Sequence, residues 1–308
     1  MDYVIRRALI SIPVMLVVSI VVFAMIFLSG DPAVLMLPPE ASEEQVAEFR
    51  HAYGFDDPWL EQYGRFISKA IRGDFGKSLR YNQPAMKLVL ERLPATLQLS
   101  SASVLLAVLL SLPLGVISAL KRNSFLDYSA SFLAVFGQSM PNYWLGFLLV
   151  YLLAVKLHLL PTSGGPGLKY VILPAVTIAF NLMALITRMT RSTLLDVLGE
   201  DYIRTARAKG MTEQMVIIAH ALRNAILPII TIVALQFGYI LGGAVVIETI
   251  FAWPGLGLLT IQAIYNRDYP LVQASVFFLT LSFVLINLAV DITYQFLDPR
   301  IRFINNKQ

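Results

Sequence analysis

The chain is predicted to be an all-α membrane protein of six transmembrane helices, and three observations lead there. Of its 308 residues 57% are apolar and 14% charged, where a soluble domain carries about 25% charged residues. That leaves too little polar surface to coat a globule of this size. Six apolar stretches, at about 8–28, 95–120, 126–155, 171–190, 225–249 and 270–296, each reach the ~20 residues that a helix needs to cross about 30 Å of hydrocarbon. The basic residues, finally, gather in the short connections on one side of these stretches.

The first stretch follows Arg6 and Arg7. Its apolar run exceeds the 7–15 residues of a signal peptide, and no small-x-small cleavage site follows, so it reads as a retained anchor. With the N-terminus inside, cytoplasmic segments hold thirteen Lys and Arg: Arg6, Arg7, Lys121, Arg122, Arg188, Arg191, Arg204, Arg207, Lys209, Arg223, Arg300, Arg302 and Lys307. The short outer loops hold three, Lys156, Lys169 and Arg267. The excess places both termini in the cytoplasm.

This reading divides the chain into a cytoplasmic N-terminus with the first span (1–28), an outer subdomain (29–93), a five-span core (94–296) and a cytoplasmic tail (297–308). The outer subdomain opens with a break, Gly30-Asp31-Pro32 and Pro38-Pro39. Ser42-Glu43-Glu44-Gln45 then fits a capping box. Leu60, Tyr63, Phe66, Ile67 and Ile71 recur at helical spacing, giving a helix with one apolar face that lies on the membrane surface or against the spans.

Between the fourth and fifth stretches lies the longest inner loop, with a coupling element at about 199–219. Ile203, Ala206 and Ala208 are small enough for close approach, and Arg204, Arg207 and Lys209 offer charged contacts. Gly210 can take a positive φ and end the first short helix, and Thr212 caps the next. Such a knob fits a groove on a soluble partner. Spacing alone favours reading the three basic residues as orientation anchors.

Arg204-Thr205-Ala206-Arg207-Ala208-Lys209-Gly210, with His220-Ala221-Leu222-Arg223-Asn224-Ala225-Ile226-Leu227-Pro228 behind it, resembles the coupling motif of inner-membrane permeases of ATP-binding-cassette importers, in the form of the dipeptide, oligopeptide, nickel and opine branch. Arg204 and Thr205 stand where the general importer pattern has glutamate and alanine, and Pro228 comes about five residues late; the branch shares these departures. Tyr3-Val4-Ile5-Arg6-Arg7, Gly73-Asp74-Phe75-Gly76-Lys77-Ser78, Leu93-Pro94-Ala95-Thr96-Leu97, Glu248-Thr249-Ile250-Phe251-Ala252-Trp253-Pro254-Gly255-Leu256-Gly257, Arg267-Asp268-Tyr269-Pro270 and Asp298-Pro299-Arg300-Ile301-Arg302-Phe303 extend the likeness over nearly the whole chain.

The resemblance implies a second, homologous permease as partner, one or two ATPase subunits docked on the coupling element (Glu200, Asp201, Tyr202, Ile203, Arg204, Thr205, Ala206, Arg207, Ala208, Lys209 and Gly210) and an external solute-binding protein. It implies no catalytic residue, metal or cofactor in this chain, ATP and Mg belonging to the partner ATPases. Short peptides, glutathione included, are the implied solute; a nickel or metal-chelate importer is the alternative within the branch.

Other features receive competing readings. Gly76-Lys77-Ser78 lacks the glycine of a phosphate loop, since Ile71 stands there. Ser139 lacks the closing glycine of a nucleophile elbow, three scattered histidines without HExxH argue against a metal hydrolase, and no cysteine is present. Glu248 and Asp291 are acids in or near spans; a proton-coupled secondary transporter would use them, but both fall near the expected interfaces. Glu248, Phe251, Trp253, Pro254 and Gly255 are candidates for an outer gate or lid. Gly238, Gly242 and Gly243 have small-xxx-small spacing for helix packing. The net charge of +4 resides in loops and does not point to nucleic acid.

Overall fold

The computed structural model describes residues 2–28, 31, 33, 34, 37, 40–165 and 167–297, with side chains for all of these except 2–8, 26–28, 243, 291 and 293–297. Gly30, Pro32, Pro38 and Pro39, the Asp291 side chain, the motif at 298–303 and the basic side chains of Arg6, Arg7, Arg300, Arg302 and Lys307 lie outside the described set. Among the described residues every regular element is a helix; extended backbone pairs only at an isolated bridge between Lys77 and Pro84.

The helices are α1 (Asp2–Leu28), α2 (Glu43–Tyr53), α3 (Trp59–Ala70), α4 (Ala85–Leu120), α5 (Phe125–Ser139), α6 (Asn142–Leu149), α7 (Leu168–Leu198), α8 (Asp201–Ala208), α9 (Glu213–Met215), α10 (Arg223–Gly243), α11 (Val245–Ile250), α12 (Leu256–Tyr265) and α13 (Tyr269–Leu297). Wide π-turns at Val150–Lys156 and Val216–Leu222 extend α6 and join α9 to α10. Four described helices are long and apolar enough to cross a membrane: Ala85–Leu120, Leu168–Leu198, Glu213–Gly242 and Tyr269–Val290. Shorter apolar ones are Leu9–Met25, Asn142–Lys156 and Leu256–Tyr265. The expected stretch 126–155 is two helices, because Pro141 begins α6 and holds Met140 extended at φ −90°, ψ 120°.

The chain divides into two compact units, Met1–Thr96 with Pro254–Leu285 and Leu97–Trp253 with Ile286–Gln308. In the first, the capping box forms as read: Ser42 accepts from the Gln45 amide while the Gln45 side chain accepts from the Ser42 amide. The expected single amphipathic helix is two, because Gly54 turns left-handed at φ 66° and Pro58 starts α3. Phe23 of α1 packs among Trp59, Tyr63 and Phe66 of α3 at ring separations of 5.4, 5.6 and 5.5 Å. The Ser19 and Tyr63 hydroxyls share a 2.7 Å hydrogen bond, and Gln273 reaches the Val22 carbonyl at 3.5 Å. Tyr63, Phe66 and Ile67 are half-buried, whereas Leu60 and Ile71 stay exposed.

Two distant motifs meet in this unit. The buried Asp268 carboxylate accepts from the Ser78 hydroxyl and from the amides of Leu79, Arg80 and Leu271 at 3.1, 3.3 and 3.3 Å. The Gly76 amide donates to Asp74 at 2.9 Å, so the Gly76-Lys77-Ser78 turn is built around carboxylates of its own chain. Thr96 accepts the Leu256 amide at 2.8 Å, capping α12 where Gly255 has no side chain to do so. At about 1.5 Å per residue, α12 is far too short to span a bilayer alone.

In the second unit α7 is the central helix, packed by α5, α6, α10 and α11. A Cβ on Gly115 of α4 would lie 2.8 Å from the Thr190 methyl of α7, and one on Gly137 of α5 would lie 3.2 Å from the Phe180 ring. Glycine sets these close approaches. Large apolar side chains such as Leu105, Leu109, Phe125 and Phe132 point outward, a surface suited to lipid.

Asp268→Ala leaves the donors at Ser78, Leu79, Arg80 and Leu271 without their acceptor, those of Ser78 and Leu271 on buried residues. It is expected to destabilise the first unit by about 3 kcal/mol, read as faster proteolytic nicking within 73–84 and a lower unfolding temperature in detergent. Ser78→Ala should cost about 1 kcal/mol.

Candidate functional site

α8 begins at Glu200, in extended backbone, and carries Asp201 in its first turn and Arg207 in its last, charges that suit the two ends of a helix dipole. It ends in a Schellman turn: the Gly210 amide bonds to the Arg207 carbonyl at 2.9 Å and the Met211 amide to the Ala206 carbonyl at 3.4 Å. That turn needs left-handed backbone at residue 210, where Gly210 has φ 76°. Thr212 then accepts from the Met215 amide and starts α9. Across the turn, Arg207 grips Glu213 with two bonds, Nε to Oε2 at 3.0 Å and Nη2 to Oε1 at 2.6 Å. The guanidinium holds the Glu213 carboxyl below its ordinary pKa.

The element is amphipathic. Ile203 and Ala206 are buried against Ala119 of α4, Leu194 of α7, Val216 and Ala221 of the π-turn and Ala225 of α10, with Met211 packed alongside. Burying Ile203 contributes about 2–3 kcal/mol. The exposed face carries Glu200, Asp201, Tyr202, Arg204, Thr205, Arg207, Ala208, Lys209 and Gly210. Tyr202 is oriented by the Asn224 side chain, which donates to its hydroxyl at 2.8 Å, and Arg204 reaches Asp201 at 3.5 Å. Of the three small residues singled out for close approach, two therefore face the bundle and only Ala208 faces outward. Of the three bases, Arg204 and Arg207 both have carboxylate partners within the element.

Beneath this seat lies a cluster that sequence reading missed. Asp127, 2% exposed, receives Arg191 Nε at 2.6 Å and Nη2 at 2.8 Å, the Ser118 hydroxyl and the Asn123 amide at 2.9 Å. The visible signal was an acid inside the apolar stretch 126–155, three residues after a capping serine; nothing in the order of residues paired it with Arg191.

The gate candidates are packed, not free-standing. Glu248, Phe251 and Trp253 are buried at 0, 2 and 3% exposure. The Trp253 amide donates to the Glu248 carbonyl at 2.8 Å and the Gly164 amide to the Phe251 carbonyl at 2.6 Å. A Cβ on Gly164 would collide with the Ala252 carbonyl, and Gly146 lies under the Phe251 ring. Gly164 and Gly146 are thus partners of this turn that the motif alone did not reveal. Pro254 and Gly255 lead into α12. Gly238 is buried, a Cβ on Gly242 would meet no atom within 4 Å, and the surroundings of Gly243 lie outside the described set.

Because space around Gly210 is open, Gly210→Ala should cost only the backbone term, about 1–2 kcal/mol, and Gly210→Asn less. Hydrogen exchange at Met211 should quicken in that order, Ala before Asn; equal protection in Ala, Asn and Gly would refute the strained-turn account.

Residues 111–303 match the family described as binding-protein-dependent transport system inner membrane component, and residues 1–100 match the N-terminal membrane component of such systems. The chain is 41% identical over 304 residues to the Glutathione transport system permease protein GsiC of Escherichia coli (strain K12), covering 98% of this chain and 99% of that one. It is 42% identical over the same span to the protein of that name from Salmonella paratyphi A. In fold it resembles the inward-facing MetNI methionine ABC transporter (CY5 native crystal form), with a TM-score of 0.57 at 20% identity over 69% of this chain and 97% of that one. The chain therefore belongs to the inner-membrane components of binding-protein-dependent transport systems, the permease subunits of ATP-binding-cassette importers.

Proposed function

We propose that this permease carries short peptides, glutathione among them, inward through a path formed with a second homologous permease. The observation that carries the substrate class is 41% identity over 98% of the chain to a permease named for glutathione transport. An external binding protein delivers the solute, and one or two ATPase subunits, holding ATP and Mg, dock on the exposed face of α8. This chain makes and breaks no bond. Its work is to exchange two packings of similar energy when nucleotide favours one of them.

The proposed topology has six spans, α5 and α6 with its π-turn together making the third, and both termini in the cytoplasm. The Lys and Arg asymmetry supports that orientation. It puts residues 29–93 outside, the five-span core at 94–296, the tail at 297–308 and α8 inside. Support for coupling through residues 200–210 is the seat of Ile203 and Ala206 on α4, α7 and α10, which lets a push on the exposed face reach three long helices. Glu248, Phe251, Trp253, Pro254 and Gly255 are proposed to lie at the outer gate. Gly242, open on its own helix face, is proposed to pack against the partner permease; Gly238 and Gly243 are proposed to serve helix packing.

Two measurements on the complete transporter in proteoliposomes test this. Gly210→Pro imposes a φ near −65° where the turn needs a positive one; ATP-dependent uptake should fall at least about tenfold with the protein still in the membrane, and unchanged uptake refutes coupling. Labelled glutathione and dipeptides should compete for uptake, whereas competition by nickel alone would overturn the substrate class. The chain has no cysteine, so Thr205→Cys provides a unique crosslinking position, expected to join the ATPase.

A further inference from the structure

We propose that Asp127 and Arg191 are positioning residues that lock α4, α5 and α7 into one rigid body beneath α8, so that a displacement of the coupling element reaches all three helices together. This rests on the coupling role proposed for α8. The Asp127 carboxylate is met from three directions: Ser118 of α4, the Asn123 amide of the α4–α5 turn and the Arg191 fork of α7. Asp127 itself sits in the first turn of α5, its amide directed at Ser124 at 3.4 Å. A bidentate guanidinium–carboxylate pair fixes both the separation and the plane of its partners.

The neighbours of the pair extend its reach. Ser118 precedes Ala119, and Arg191 lies one turn before Leu194; Ala119 and Leu194 are two of the residues on which Ile203 and Ala206 rest. One turn before Ser118, Gly115 meets Thr190, the residue next to Arg191, and brings α4 and α7 to close approach. The two helices thus have successive points of contact along their length, one steric and one ionic. Apolar contacts alone leave helices free to slide in small steps; the fork does not. A buried ion pair is a weak stabiliser compared with an apolar pair of equal volume, so fixing geometry is the role that suits it.

The test uses the complete transporter in proteoliposomes. Spin labels at Arg122→Cys and Ser192→Cys, on exposed sites of the α4–α5 turn and α7, should keep one distance distribution in nucleotide-free and ATP-bound states. Adding Asp127→Asn should make that distribution depend on nucleotide. The same variant should transport about 2- to 30-fold less solute per ATP hydrolysed, the range spanned by mutations along coupling networks, while the ATPase still co-purifies. If Asp127→Asn fails to accumulate, Asp127→Asn with Arg191→Gln leaves no unpaired charge and should show the same deficit. A parental ratio of solute to ATP in either variant overturns the proposal. So does loss of uptake matched by equal loss of bound ATPase, or a label distance that already shifts with nucleotide in the parental chain. Absence of the Thr205→Cys crosslink sinks the docking of α8 first; its presence with a shifting label pair sinks the rigid body alone.

Discussion

A polar group withdrawn from water in so apolar a chain must be met by another group of the chain or forfeit several kcal/mol. That constraint decides where the helices of this permease end and touch. Asp127 is met by Arg191, Ser118 and Asn123. Asp268 is met by Ser78 and three backbone amides. The first amide of α12 is met by Thr96, and the last carbonyls of α8 by the turn at Gly210. Each solution joins segments far apart in sequence or reverses the chain within a few residues.

The short helix α8 is held in place by the same constraint. A helix of eight residues is too short to be stable alone, so α8 owes its persistence to the burial of Ile203 and Ala206 and to its closed C-terminal turn. The Arg207–Glu213 pair is exposed and adds little stability; it sets the angle at which the chain re-enters the bundle. What remains outward is a small face of mixed charge with a tyrosine held by Asn224. Such a face offers charged and aromatic groups to solvent while the apolar side rests on the bundle.

The two ionic centres differ in kind. Asp268 gathers amides and a hydroxyl, holding the turn at 73–84 to the start of α13 within the first unit. Asp127 gathers a guanidinium, drawing three helices of the second unit to one point.

Helical class and membrane residence were legible in the order of residues, because hydrocarbon thickness and helical rise translate directly into run length and spacing. So were the capping box at Ser42 and the left-handed turn at Gly210, where a residue's own backbone demands act within a few positions. Not legible were the break at Pro141 inside an unbroken apolar run, the division of the outer helix at Gly54, the packing of α12, the pairing of Asp127 with Arg191 and the docking of Ser78 on Asp268. Local preference and hydropathy are properties of a segment and can be read along it. Which carboxylate meets which donor depends on how segments 64 to 190 residues apart are brought together, and only the tertiary structure decides that.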